Sequence, residues 1–178
     1  MYGRCGWRNG GRRTVGVEQL YSGSALGAVG SDGRVPLPPF IRRVIGVGSA
    51  GVVTLGAHET DPCLTGYEPG YAPVLQADLE RRRLRDEAAG AGSEKHYLRA
   101  RRAFGFVEDA EVDGDRLELP PMMRMKGRIG NLVLFVGTGA TFEIWNPDIA
   151  IEEGDEGLRE LAGYRLGQRN TPGREKVR

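Results

Sequence analysis

Arg34-Val35-Pro36-Leu37-Pro38-Pro39 is answered about eighty residues later by Arg116-Leu117-Glu118-Leu119-Pro120-Pro121, with the arginine and the paired prolines in the same register. The correspondence runs on to Arg42 and Arg124, each three residues past the second proline. Glycine- and aspartate-rich turns precede both copies, Gly30-Ser31-Asp32-Gly33 in the first and Asp113-Gly114-Asp115 in the second. Further along, Leu64-Thr65-Gly66-Tyr67-Glu68-Pro69 is matched by Phe142-Glu143-Ile144-Trp145-Asn146-Pro147, with an aromatic residue two before a proline in each. Solenoid repeats recur every ~20–50 residues and need more than two copies. The spacing here therefore predicts a small module built twice.

Each copy reads as strand, turn, return strand, short helix and closing strand pair. In the first, a strand within Tyr21 to Val29 meets the turn, and Arg34 to Leu37 returns with Val35 and Leu37 on one face. Pro39 to Ile45 predicts a helix with proline at its first position, where no N–H is required, ended by Gly46. Val52 to Leu55 and Cys63 to Tyr67 form the closing pair. In the second, the same series is Phe106 to Val112, Arg116 to Leu119, Pro121 to Lys126, Leu132 to Val136 and Phe142 to Trp145.

Two helical stretches separate the copies. Tyr71 to Glu87 carries Val74, Leu75, Leu79 and Leu84 as an apolar side, and Glu94 to Ala103 carries Tyr97 and Leu98, with Phe104 following. The expected organisation is a disordered N-terminal extension over 1–20, a first module over 21–70 and a helical hairpin over 71–103. A second module then covers 104–150, and a C-terminal helix and tail 151–178, with the tail fraying after Gly167. Val17-Glu18-Gln19-Leu20-Tyr21 reads as a natural beginning of the functional chain. The Arg4, Arg8, Arg12 and Arg13 run before it is either a nucleic-acid arm or a passive tail.

The 178 residues carry a net charge of +1, which neither demands nor excludes nucleic acid, because a local patch outweighs the total. No apolar run approaches the ~20 residues that span a bilayer. The N-terminal arginines lack the apolar stretch of a secretory signal. Cys5 and Cys63 fit no metal-ligand spacing, so a reducing cytoplasm is the expected location.

Candidate chemistry is sparse. Gly46-Val47-Gly48-Ser49-Ala50-Gly51 matches a dinucleotide fingerprint, yet β-branched Val52-Val53-Thr54 follows where that motif needs a helix. His58, Glu59 and Asp61 lack a partner at ligand spacing, and His58 with Cys63 lacks the context of a nucleophile. The chain is expected to be no enzyme, with no cofactor, no metal and no small-molecule substrate. The runs Arg81-Arg82-Arg83-Arg85 and Arg99-Arg101-Arg102 read as a solvated helix face or an oligomer contact. Arg34 and Arg116 leave tight turns at matching positions, where a guanidinium fork can grip phosphate or read guanine. Equally, each can close its own turn onto Asp32, Asp113 or Asp115.

Tyr21-Ser22-Gly23, Gly33-Arg34-Val35, Leu37-Pro38, Arg102-Ala103-Phe104-Gly105, Val112-Asp113, Arg116-Leu117 and Glu143-Ile144-Trp145 resemble the MraZ family of bacterial transcriptional regulators. The resemblance covers roughly Val17 to Ile151. It implies a mostly β fold with flanking helices (α+β), in which two tandem AbrB/SpoVT-like swapped-hairpin modules form a pseudo-dimeric β-barrel. It also implies a cytoplasmic, nucleoid-associated, ring-like homo-oligomer that binds direct repeats of promoter DNA upstream of the division and cell-wall gene cluster. Arg34, Arg116, Arg42 and Arg124 are the residues expected to bind double-stranded DNA. The family pattern places an Asp-x-x-x-Arg turn in each module, and this chain departs from it twice: Gly30 stands at the first aspartate position, and Asp113 lies one residue too close to Arg116. Those departures leave a competing expectation, an assembly protein that kept the scaffold while its DNA loops weakened.

Overall fold

Strand and turn chemistry repeats along the chain, and the computed structural model shows what the repetition builds; it describes residues 20–48 and 51–170. The expectations for the N-terminal arginines and for residues 171–178 lie outside that range. The first series is β1 (Ser24–Ala28), β2 (Arg34–Pro36), α1 (Pro39–Gly48), β3 (Val52–Ala57) and β4 (Leu64–Tyr67). A helical hairpin of α2 (Ala72–Ala88) and α3 (Glu94–Gly105) follows. The second series is β5 (Val107–Asp113), β6 (Arg116–Glu118), α4 (Pro121–Lys126), β7 (Leu132–Gly137) and β8 (Phe142–Trp145), and α5 (Pro147–Glu153) and α6 (Glu156–Asn170) end it.

All eight strands share one antiparallel sheet in the order β1-β7-β8-β4-β3-β5-β6-β2. The sheet curls into a nearly closed barrel, and Gly30 N–H donates to the Arg34 carbonyl at 2.8 Å where β1 comes round to β2. The strands are exchanged between the two series. β1 pairs with β7 and β5 pairs with β3, so the first strand of each series lies against the third strand of the other. The registers coincide: Ala28 faces Leu132 as Glu111 faces Val52, and Thr54 faces Tyr67 as Leu134 faces Trp145. This is a pseudo-dimeric barrel in one chain.

Alternation along the strands sends one set of side chains inward. Val35, Ile41, Val53, Leu55, Leu64, Leu117, Met123, Val133, Phe135, Phe142 and Ile144 are fully buried in that interior. The pseudo-two-fold runs between Thr65 and Glu143, and on its two sides the volumes are shared differently. Leu64 faces Ile144 on one side, and on the other Gly66 faces Phe142. A Cβ on Gly66 would meet the Phe142 ring at 2.3 Å, so the large ring is accommodated only because position 66 has no side chain.

Helices cover the outside unevenly. α5 and α6 seal a small cluster of Leu134, Trp145, Ala150 and Ala162. The α2–α3 hairpin buries Leu79, but Val74, Leu84, Tyr97, Leu98 and Phe104 remain exposed. The apolar side expected of that hairpin is therefore largely turned to the surface, with Leu79 its one buried residue among those described. Two helix ends also differ from expectation: α1 runs past Gly46 to Gly48, and α6 runs past Gly167 to Asn170. A single glycine without a following proline costs only about 1 kcal/mol inside a helix, too little to force a stop.

Candidate nucleic-acid interface

The pairing of β2 with β6 brings the two repeat arginines to one end of the barrel. Arg34 faces Glu118 and Arg116 faces Pro36 in that ladder. Each return strand is also tied to the opposite turn: Leu37 N–H donates to the Asp115 carbonyl at 2.7 Å, and Leu119 N–H donates to the Gly33 carbonyl at 3.1 Å. Arg116 Nη2 donates to the Arg34 carbonyl at 3.4 Å. Four groups far apart in sequence thus share one surface.

The turns themselves differ by one residue. In the first, Ser31, Asp32 and Gly33 lie between Gly30 and Arg34, and Gly33 takes φ +77°. In the second, only Gly114 and Asp115 lie between the paired Asp113 and Arg116, and Gly114 takes φ +62°. Both glycines occupy left-handed backbone that a side chain resists, a requirement of tight hairpin turns. The extra residue sits wholly in the turn, which is why the barrel registers agree despite it.

Each arginine reaches across to a carboxylate of the other turn. Arg34 Nη1 lies 3.0 Å from Asp113 Oδ2, and its Nη2 lies 3.3 Å from Glu118 Oε2. That hydrogen bond to Glu118 is the main cause raising the guanidinium above its ordinary pKa. Arg116 Nη2 lies 3.6 Å from Asp32 Oδ1. The Arg34 backbone N–H bonds the same Asp32 oxygen at 3.1 Å and, with the Arg116 charge adding to it, holds that carboxyl below its ordinary range. Arg42 follows the same cross-over, 3.9 Å from Asp115 Oδ2. Arg124 lies beside Gly33 of the opposite turn and has no carboxylate within ion-pair distance among the described residues.

The closing of an arginine onto its own turn's acid, one of the two sequence readings, is replaced here by closing onto the opposite turn. Spacing along one chain gives no sign of that exchange, because the partners are brought together only by the strand swap. Glu118 was likewise not singled out from sequence, although its place two residues past Arg116 puts it on the outward face of β6.

No family model matches the chain. Individual relatives do. The transcriptional regulator MraZ of Saccharophagus degradans is 29% identical over 151 residues, 80% of this chain and 97% of that protein. MraZ of Nitrosococcus oceani is 29% identical over 115 residues, covering 64% and 72% of the two chains. MraZ of Shewanella oneidensis is 23% identical over 148 residues, covering 83% and 93%. The chain is similar to MraZ regulators over most of its length.

Within the MraZ pattern, the missing aspartate at Gly30 now has a structural counterpart. Gly30 is the position matching Asp113, and a Cβ placed there would lie 2.9 Å from Arg116 Nη2 and 2.4 Å from Asp32 Oδ1. Asp32 occupies the space an aspartate side chain at position 30 would use, and supplies the carboxylate to Arg116. Among the described residues no group of three His, Cys, Asp or Glu could hold a metal, and no helix is long and apolar enough to cross a membrane.

Proposed function

We propose that this chain is a sequence-specific DNA-binding transcriptional regulator of the division and cell-wall gene cluster, acting from the nucleoid as a ring-like homo-oligomer on promoter direct repeats. Relatives called transcriptional regulators support the coarse reading. The observation that carries the finer one is the convergence of Arg34 and Arg116 across β2–β6, with Arg42 and Arg124 behind them. In this reading the four guanidiniums face the duplex, and the two modules, 21–70 and 104–150, each contribute one turn.

A specific observation favours the second reading, an assembly protein with weakened DNA loops. Three of the four arginines already have carboxylate partners, so the surface offers little free positive charge. The pairs are partly exposed, and exposed ion pairs contribute only ~0–1 kcal/mol, so phosphates can compete for the same guanidiniums. A ring that presents many turns to repeated sites gains about 10²–10⁴ in avidity when the geometry fits. The exposed Val74, Leu84, Tyr97 and Leu98 of the hairpin supply apolar surface for self-association.

The deciding experiment is fluorescence anisotropy of the full chain with the DNA upstream of its own gene cluster, against scrambled DNA, at several salt concentrations. Tighter binding to the native repeats, weakening with salt, supports regulation. Equal and negligible binding to both, by a protein that still forms rings, supports the assembly reading.

A further inference from the structure

Opposite the turns, the hairpin and the barrel enclose a cavity of about 260 Å³ that the DNA reading does not use. Its walls include Tyr67, Tyr71, Leu75, Leu79 and Val107. Tyr67 and Tyr71 stand with ring centroids 5.6 Å apart, giving one wall an aromatic character. At its mouth three arginines from two helices gather on Glu59, two on its carboxylate and one on its backbone carbonyl. Glu59 Oε2 accepts from Arg82 Nη1 at 2.9 Å, and Glu59 Oε1 lies 3.3 Å from Arg99 Nε. Arg102 Nη1 donates to the Glu59 carbonyl at 2.6 Å. Arg99 has a second partner in Asp86 at 2.5 Å, whereas Arg102 has no carboxylate within ion-pair distance among the described residues.

The loop that presents Glu59 is held in place. The backbone N–H groups of Asp61 and Thr60 donate to His58 Nδ1 at 3.0 and 3.4 Å. Nothing in the fold demands a cavity at this place. The matching site on the other half of the barrel is closed by Trp145, Leu134 and Ala150, with Val136, Ile149 and Leu158 packed against them. Nor do the ion pairs explain themselves as fasteners, since these side chains remain partly exposed and such pairs contribute little to stability. A guanidinium fork matches carboxylate and phosphate oxygens, and several forks gathered on one oxyanion make a recognition geometry.

We propose that this cavity binds a small organic anion, a phosphate or carboxylate carried on a compact apolar or aromatic body, and that Glu59 fills the anion position while the site is free. The volume falls a little below the ~300–1,000 Å³ of ordinary ligand pockets, which limits the body to about one ring. Glu59 then acts as an internal competitor. A ligand must displace it, and apparent affinity is reduced by the fraction of molecules in which Glu59 holds the arginines.

Titration calorimetry on the full chain tests this with phenyl phosphate, benzoate and inorganic phosphate as probes. Phenyl phosphate or benzoate should bind about tenfold more tightly than inorganic phosphate, because only they occupy the apolar walls. Whichever of the two binds better identifies the head group. Glu59→Gln should tighten that binding about tenfold by removing the competing charge. Arg82→Gln/Arg99→Gln should abolish it, and Arg34→Ala/Arg116→Ala should leave it unchanged, which separates this site from the DNA surface. Circular dichroism confirms that each variant is folded, and the gain expected of Glu59→Gln does not depend on the arginine variants folding. The proposal is overturned by no binding of either organic probe to the Glu59→Gln protein, by equal affinity for inorganic phosphate, or by loss of binding in the turn-arginine variant.

Discussion

Arg34 and Arg116 occupy matching positions in the two halves of the barrel, and their surroundings have diverged. Arg34 is held by two carboxylates, Asp113 at 3.0 Å and Glu118 at 3.3 Å. Arg116 has one, Asp32 at 3.6 Å, because the residue matching Glu118 is Pro36 and the residue matching Asp113 is Gly30. The backbone around them has been kept, with the one-residue difference absorbed in the turn. Duplication has thus preserved strand registers, which the shared core enforces, while the exposed charges were free to change. A one-residue slip in a strand would turn its buried face outward; a carboxylate moved within an exposed turn alters only weak, screened interactions.

The largest expected effect lies beneath both turns. Val35 and Leu117 face each other across β2–β6 and are fully buried. Leu117→Ala should cost about 2–5 kcal/mol in chemical denaturation, and Val35→Ala somewhat less. Both should lower one cooperative transition. Two separate transitions in either variant would mean that the halves do not share a core.

Next come the turn glycines. Gly33→Ala and Gly114→Ala each force a side chain into left-handed backbone, at about 1–2 kcal/mol. Comparable losses are expected at both, since the three-residue and two-residue turns make the same demand. A neutral result at either position would show that its turn is shaped differently.

A smaller effect separates the two arginines. Asp113→Asn/Glu118→Gln releases the more firmly held guanidinium, and Asp32→Asn the less firmly held one. DNA affinity should rise by roughly 1.4- to fivefold per ion pair removed, the range an exposed pair of ~0.2–1 kcal/mol allows, and so by more in the first than in the second. The reverse order in anisotropy titrations would show that ion-pair distance does not govern access to these arginines.

The smallest effect is a shift in titration. The Arg34 N–H bond, assisted by Arg116, lowers the Asp32 carboxyl from its ordinary 3.8. A depressed carboxyl stabilises the fold above its unfolded pKa, and that contribution is lost as pH falls through the folded value. NMR titration should place the Asp32 midpoint below 3.8, moving part of the way back in Arg116→Ala. A midpoint that stays put in Arg116→Ala would remove the cross-turn pair from the account.

The duplication, the β-rich class and the series strand, turn, strand, helix, strand pair were legible in the Arg-x-x-x-Pro-Pro echo, because tight turns, tandem prolines and alternating apolar residues act locally. The exchange of β1 and β5 between halves was carried only by family resemblance, since local pattern does not choose a strand's partner. α5 was missed although Asn146-Pro147-Asp148 announced it: the Asn146 side chain accepts from the Asp148 N–H at 2.9 Å, with proline at the first helical position. Tyr97 and Leu98 misled in the other direction, because apolar residues on a helix specify a buried face without showing what covers it. At the candidate interface the four arginines were legible as repeated cations. Their partners were not, because each pair joins opposite turns.

The central claim is that paired turns put Arg34 and Arg116 on DNA, and the salt dependence of binding by Arg34→Ala/Arg116→Ala tests it most directly. Each phosphate neutralised contributes about 0.9 to the slope of log K against log salt. The account predicts weaker binding to the upstream DNA and a slope shallower by roughly 1.8 per chain engaged, with ring size by light scattering unchanged. Identical affinity and identical slope in a variant that still assembles would contradict it, and would leave these arginines as no more than the clasp between two turns.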